Sequence, residues 1–477
     1  MLFNLLKRRR KAGANTVNLA GGEAFTETPK LEIASIMLTA MLKDQFYRSA
    51  DNTVKRLREL IAAQPDKKFV ARAALYARRE AGMRSVTHLT AAELAKSVKG
   101  ETWTKAFYDK VVRRPDDALE VLACYMALHG RPIPNSLKKG IGSAMARFDA
   151  YQLAKYRKQD AELSLVDAVN LVHPPHTDAL SALMKGKLAP AETWETRLTQ
   201  AGQKAENEEQ LDGLKKDAWT ALVKERKIGY FALLRNLRNI LTDAPEVTDD
   251  AIAMLTDEKL IRQSLVMPFR FTTALEAIQS ASLPRSGRIV AALSDAVDIS
   301  LANVPQFPGK TLIALDVSGS MAGRPLKIGA LFAATLAKAS EADLLLFSDN
   351  AFHFPLNRRD STLTLARFIE NAATRGGTDF HSIFRKAQGP YDRIIILSDM
   401  QGWVGGHAPV RVFADWKQKF RCDPRVFSFD LQGYGTLQFP ERNVACLAGF
   451  SDKTMDLLRM LDTDPRALIK TIEAVSL

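Results

Sequence analysis

At Thr311-Leu312-Ile313-Ala314-Leu315-Asp316-Val317-Ser318-Gly319-Ser320-Met321 the sequence changes character. An apolar run of strand length passes directly into Asp-x-Ser-x-Ser. Similar runs follow at Leu344–Phe347, Ile394–Leu397, Val426–Phe429 and Val444–Leu447, with helical patterns between them at about 325–340, 361–372, 379–387, 409–419 and 452–461. Strands that are apolar at nearly every position are buried on both faces. Their alternation with helices predicts a mainly parallel, Rossmann-like α/β sheet over 305–477. In such sheets ligands gather at the carboxyl ends of strands, where Asp316, Ser318 and Ser320 fall.

Upstream the period is helical. Leu31, Ile33, Ile36, Met37 and Met41 recur near 3.6 spacing, as do Leu211, Leu214, Ala218 and Leu222, and then Phe231, Leu234, Leu237 and Leu241. Breaks at Gln64-Pro65-Asp66, Arg114-Pro115-Asp116, Gly130–Pro134, His173-Pro174-Pro175 and Asp243-Ala244-Pro245 cut this region into short helices. The expectation is an all-α domain of stacked helix pairs over 15–304, joined to the α/β part by Pro305-Gln306-Phe307-Pro308-Gly309.

The chain has 477 residues, 46% of them hydrophobic and 25% charged, which excludes a disordered or fibrous protein. No apolar run reaches the ~18 residues of a membrane span. Cys124, Cys422 and Cys446 form no CxxC pair. That excludes a disulfide framework or cysteine-rich zinc site and fits a reducing compartment. Residues 1–14 place apolar residues before a basic run, the reverse of a secretory signal, and read as a basic arm on a cytoplasmic protein. The net charge is +13, of which +10 lies in 1–304 and +3 in the rest. The densest part is 131–160, with Arg131, Lys138, Lys139, Arg147, Lys155, Arg157 and Lys158 against Asp149 and Asp160. Such a surplus permits a polyanionic partner and equally suits a solvated helix face.

Asp316, Ser318 and Ser320 supply hard oxygen donors of the kind Mg²⁺ takes. Gly376-Gly377-Thr378-Asp379 offers a further hydroxyl before a helix, and Arg393–Leu397 ends in Ser398-Asp399. A helix-capping role would account for Ser318 and Ser320 but leaves Thr378 and Asp399 unexplained. Together the five residues resemble the metal-ion-dependent adhesion site of von Willebrand factor A domains. The resemblance implies Mg²⁺ or another divalent cation held by Asp316, Ser318, Ser320, Thr378 and Asp399, with one position left for an acidic group of a partner. No His or Glu stands beside these motifs as a base, so the site does not read as hydrolytic and no enzyme activity is expected. His381 and His407 read as loop or helix polar residues, and Asp379 as a helix cap.

The helical part carries its own resemblance. Tyr230-Phe231-Ala232-Leu233-Leu234-Arg235-Asn236-Leu237 is similar to a signature of the TROVE module. So are Arg84-Ser85-Val86-Thr87-His88-Leu89, Pro134–Gly140 and Arg147–Arg157. TROVE followed by a von Willebrand A domain is the architecture of the Ro autoantigen family. It implies HEAT-type helical repeats curved into a ring closed by the A domain. It also implies binding of Y RNA and of single-stranded ends of misfolded non-coding RNA, and scaffolding of a 3′–5′ exoribonuclease by a monomer. The family's RNA contacts fall here on Lys155, on Arg157 or Lys158, and on His173, within a basic face that includes Lys138, Lys139 and Arg147. From spacing alone His173 is a helix-terminal residue. Arg235 is expected to pair across helices and Asn236 to bond backbone, with Tyr230, Phe231, Trp103, Trp194 and Trp219 in the core. A competing reading is an adaptor whose metal site grips a protein such as an AAA+ ATPase.

Overall fold

The computed structural model describes residues 14–26, 28–39, 50–156, 163–189, 194–281, 286–304, 306–340, 342–405, 409–432, 434, 436–439, 444–448, 458, 462, 464 and 466–477. Two short strands come first, β1 (Thr16–Val17) and β2 (Glu23–Thr26). Helices then follow: α1 (Pro29–Thr39), α2 (Ala50–Ala63), α3 (Lys67–Arg79), α4 (Ser85–Ser97), α5 (Thr104–Val111), α6 (Pro115–His129), α7 (Asn135–Met145), α8 (Ala150–Lys155), α9 (Leu165–Val172) and α10 (Asp178–Met184). The series continues with α11 (Trp194–Lys204), α12 (Glu208–Lys224), α13 (Tyr230–Asp243), α14 (Thr248–Leu255), α15 (Glu258–Ser264), α16 (Phe271–Ser280) and α17 (Ser286–Ser300). The breaks read from the sequence supply the caps. Asp66 accepts from the Phe69 amide to start α3, Pro115 opens α6, and His173 ends α9 in the left-handed conformation.

The second part runs β3 (Thr311–Asp316), α18 (Arg324–Ala339), β4 (Ala342–Phe347), β5 (Ala351–His353), α19 (Thr362–Asn371), α20 (Phe380–Lys386), β6 (Arg393–Ser398), α21 (Val410–Phe420), β7 (Arg425–Asp430), β8 (Thr436–Leu437), β9 (Val444–Ala448) and α22 (Ala467–Glu473). Its sheet has the order β5-β4-β3-β6-β7-β9, parallel except at the β5 edge. Alternate residues of β3, β4, β6 and β7 enter different cores. Ile313, Leu315, Ile395 and Leu397 face one side with α18, whereas Leu312, Ala314, Ile394 and Ile396 face the other with Phe384, Phe413 and Trp416. Burial on both faces is the reason these strands read as continuous apolar runs. Of the helix expected over 452–461, only Leu458 lies within the described residues.

Three departures from expectation stand out. Residues 16–26 are not helical: β1 and β2 form a hairpin that pairs through β2 with β8, more than 400 residues away. Phe231, expected in the core, is exposed on the outer side of α13. Arg235 is exposed and makes no ion pair among the described residues, while Asn236 does bond backbone, donating to the Ala232 carbonyl at 2.9 Å.

The helical part contains two hydrophobic clusters. One runs through α1–α10 and continues into the α18 side of the sheet, and the other occupies α11–α17. Both ends of the helical series dock on the α/β part. At the start, Lys30 pairs with Glu473 at 2.7 Å and Arg72 donates to the Val475 carbonyl at 3.1 Å. At the end, Asp298 of α17 accepts from Lys338 at 3.1 Å and from the Thr362 amide at 3.0 Å. The path of helices is therefore closed through the α/β part.

Candidate metal centre and nucleic-acid interface

The carboxyl ends of β3 and β6 place Asp316 and Asp399 side by side, each fully buried. Ser318 and Ser320 follow β3 on a tight turn, with their hydroxyls 3.3 Å apart. Ser318 starts a short 3-10 turn, yet its side chain caps nothing. Instead its amide donates to Asp316 Oδ1 at 2.9 Å, and Ser398 Oγ donates to Asp316 Oδ2 at 2.6 Å. Thr378 is buried on the loop entering α20. That loop is laced to both others: Gly319 donates to the Gly376 carbonyl at 3.0 Å, and the amides of Trp403 and Val404 donate to the Thr378 carbonyl. A Cβ at Gly376 would fall on the Asp349 carboxylate, which also accepts from the Gly377 amide and would have to shift. All five residues singled out from the sequence thus lie on three interlocked loops at the carboxyl end of the sheet.

The electrostatics of this arrangement are unbalanced. Burial, and then the neighbouring Asp399, push the Asp316 carboxyl up to about 7. Burial also raises Asp399, against the Ser320 hydroxyl and the Gln401 amide that favour its ionised form. No Lys or Arg pairs with either carboxylate among the described residues. Nor do three His, Cys, Asp or Glu side chains cluster there as a metal site. The donor set is instead two carboxylates and three hydroxyls, all hard oxygen. Two buried carboxylates without a counter-charge are what a divalent cation would neutralise, so the residues fit the ion. Around them, Gln432 donates to the Ser320 carbonyl at 3.3 Å and is held by Tyr434, whose hydroxyl donates to Gln432 Oε1 at 2.7 Å. Sequence reading did not single out Gln432 or Tyr434.

Asp379 caps α20 as expected, accepting from the His381 amide at 2.9 Å. His381 is a helix residue, buried on α20, its Nδ1 2.8 Å from Asp379 Oδ1. His407 lies outside the described residues. The N-terminal hairpin reaches this neighbourhood too. Asn18 Nδ2 donates to the Gly402 carbonyl, and the Leu19 amide donates to Gln401 Oε1 at 2.7 Å.

The basic residues separate into roles. Lys155 is exposed on the last turn of α8, between the rings of Tyr151 and Tyr156 at 6.0 and 5.8 Å. Tyr156 also receives the Arg114 guanidinium at 4.4 Å. Helices α8 and α9 both pack on α10, and His173 at the end of α9 is exposed. Pro174 crosses α7 at Gly142, so His173 lies against the helix that carries Lys138 and Lys139. Arg147 differs from these. It pairs with Asp109 and donates to the Asp109 and Val112 carbonyls, closing the C-terminal end of α5. Arg157 and Lys158 lie outside the described residues.

The Arg84–Leu89 block has a structural explanation. Asp117, fully buried at the start of α6, accepts from Arg78 Nη2 at 2.6 Å, His88 Nε2 at 3.0 Å and Arg84 Nε at 3.1 Å. The amides of Arg113 and Arg114 donate to it as well. Burial alone would raise this carboxyl. The His88 hydrogen bond and the Arg78 charge outweigh burial and hold it well below the usual carboxylate range.

A TROVE-domain family model matches residues 32–185 and 174–289, more than half of the chain. The chain belongs to the TROVE family. The chain is 27% identical to the RNA-binding protein RO60 of Deinococcus radiodurans, a match covering 86% of this chain and 87% of that protein. Telomerase protein component 1 of Rattus norvegicus is 21% identical over 56% of this chain, which spans only 14% of that much longer protein. The crystal structure of the Deinococcus radiodurans RO (RSR) protein superposes with a TM-score of 0.64 at 19% identity. It covers 91% of this TROVE chain and 99% of its own. The shared fold extends beyond the TROVE match into the α/β part.

Proposed function

We propose that this TROVE protein binds RNA without catalysing its cleavage. Lys138, Lys139, Lys155 and His173 receive phosphates, and Tyr151 offers an exposed ring to an unpaired base. The observation that carries the reading is the packing of α9 on α7 and of both α8 and α9 on α10, which brings these residues onto neighbouring elements although 35 positions separate Lys138 from His173. The likeness to a Deinococcus protein named for RNA binding supports it. Y RNA and the single-stranded ends of misfolded non-coding RNA are the proposed partners, with a 3′–5′ exoribonuclease scaffolded on the complex and a cytoplasmic monomer as the working form. Arg147 contributes mainly by holding α5.

The α/β part reads as a von Willebrand A domain. Asp316, Ser318, Ser320, Thr378 and Asp399 would hold Mg²⁺, whose charge offsets the two carboxylates and leaves a position for an acidic group. The convergence of all five residues also favours an adaptor that binds a protein such as an AAA+ ATPase. Filter binding of a stem with single-stranded ends, with Lys155→Ala/His173→Ala beside wild type, tests the RNA reading. Loss of binding in the double variant is expected. Undiminished binding refutes the site, and a pull-down that recovers an ATPase but no RNA favours the adaptor.

A further inference from the structure

The C-terminal ends of α3, α5 and α7 meet around a cleft of about 720 Å³ lined by Arg79, Lys110, Arg113 and Arg147, with Glu80 and Gln152. Four cations face one acid across this space. Helix C-termini attract positive charge, and here three termini meet four cations. Arg147 is already paired with the Asp109 carboxylate and meets the end of α5 through the Asp109 and Val112 carbonyls. Lys110 Nζ is held at the rim by the Ser476 carbonyl at 3.2 Å. Arg79 and Arg113 remain: both are exposed, and neither side chain makes an ion pair among the described residues. Burial and the proximity of Arg79 both lower the Arg147 guanidinium's affinity for its proton. The like charges of Arg79 and Arg147 therefore work against each other across the cleft. Guanidinium forks match phosphate oxygens two at a time, and such a cluster gains most from a dianion.

We propose that this cleft binds a compact phosphate group carrying two negative charges, supplied by the terminal phosphate of an RNA strand or by a free nucleoside polyphosphate. It is separate from the Lys155 and His173 contacts, which meet phosphodiesters along the strand. The RNA arm of the test rests on the RNA-binding reading above; the small-molecule arm does not. Wild type and Arg79→Ala/Arg113→Ala are compared for pyrophosphate and nucleoside diphosphate by calorimetry. By anisotropy they are compared for one oligoribonucleotide phosphorylated at its 5′ end, its 3′ end or neither. Both substituted side chains are exposed, and an unchanged melting temperature verifies the fold.

Wild type binds pyrophosphate and the double variant does not. One phosphorylated oligonucleotide binds roughly tenfold tighter than the unphosphorylated one, the effect of a charge-assisted hydrogen bond. That preference disappears in the double variant, whereas Lys155→Ala weakens all three oligonucleotides alike. Pyrophosphate binding without any end preference assigns the cleft to the free nucleotide. If no oligonucleotide binds but pyrophosphate does, the RNA reading fails and the cleft stands. Wild type that binds neither pyrophosphate nor nucleoside diphosphate and shows no end preference overturns the proposal, as does full binding by the double variant.

Discussion

Replacing Asp316 with Asn separates the cost of the metal-free site from the gain of the loaded one. In metal-free protein the Asp316 carboxyl is raised from 3.8 to about 7. For an acid this means that the folded chain keeps a proton which the unfolded chain releases. Metal-free stability therefore falls as pH rises from 3.8 to about 7, and the full cost of about 4 kcal/mol applies above that range. Asn carries no charge and escapes this cost. It gives back about 1.5–3 kcal/mol through weaker bonds to the Ser318 amide and the Ser398 hydroxyl. The net gain is about 1–2 kcal/mol at pH 8 in chelator, a rise of several degrees at about 2–4 °C per kcal/mol. With Mg²⁺ at a hundredfold excess over its Kd the wild type gains about 2.7 kcal/mol and the variant gains nothing. The order of melting temperatures therefore inverts between chelator and Mg²⁺, as scanning calorimetry at pH 8 would show. A variant that melts lower in both conditions, beside a wild type indifferent to Mg²⁺, refutes the reasoning.

Asp117→Asn leaves Arg78 buried without its counter-charge and costs about 3–5 kcal/mol, measured as a lower urea midpoint. Because the Asp117 carboxyl is depressed, its contribution is intact above about pH 3.8 and disappears as pH falls below that, so the difference between wild type and variant closes in acid. Gly22→Ala drives a Cβ into the Gly402 carbonyl. It costs about 1–3 kcal/mol, with limited proteolysis showing the 16–26 hairpin cut first; unchanged protection would mean that the hairpin is not docked. Lys155→Ala reduces the salt slope of single-stranded RNA binding by about 0.7, and an unchanged slope removes Lys155 from the phosphate contacts.

The parallel strands and the gathering of five oxygen-bearing side chains at their carboxyl ends were legible because both depend on local pattern. A strand buried on two faces is apolar throughout, and a ligand loop follows its carboxyl end. Other features were hidden because their partners are remote. The β2–β8 pairing spans the chain between residues 25 and 437 and leaves no periodicity behind. β5 has only three half-buried residues. Arg84 and His88 belonged to a recognisable block, but their common partner Asp117 sat just beyond the Arg114-Pro115-Asp116 break, 33 and 29 residues on. The cleft needed three helix ends to be brought together, and no spacing along the sequence announces that. Phe231 failed for a different reason. Helical period places it beside Tyr230, yet only Tyr230 turns inward, where its hydroxyl donates to the Leu255 carbonyl at 2.7 Å.

The division of the helices into two cores, each tied to the α/β part, bears on how the polypeptide could be taken apart. A single cut between Met184 and Trp194 would leave the second cluster whole and divide the first between the two fragments. The N-terminal fragment would hold its share of the first core against α22 and β9, and the C-terminal fragment would keep α11–α17 together with the sheet they dock on. The chain therefore has the properties of a two-piece complementing system. Its halves would find each other through the sheet rather than through the severed helices.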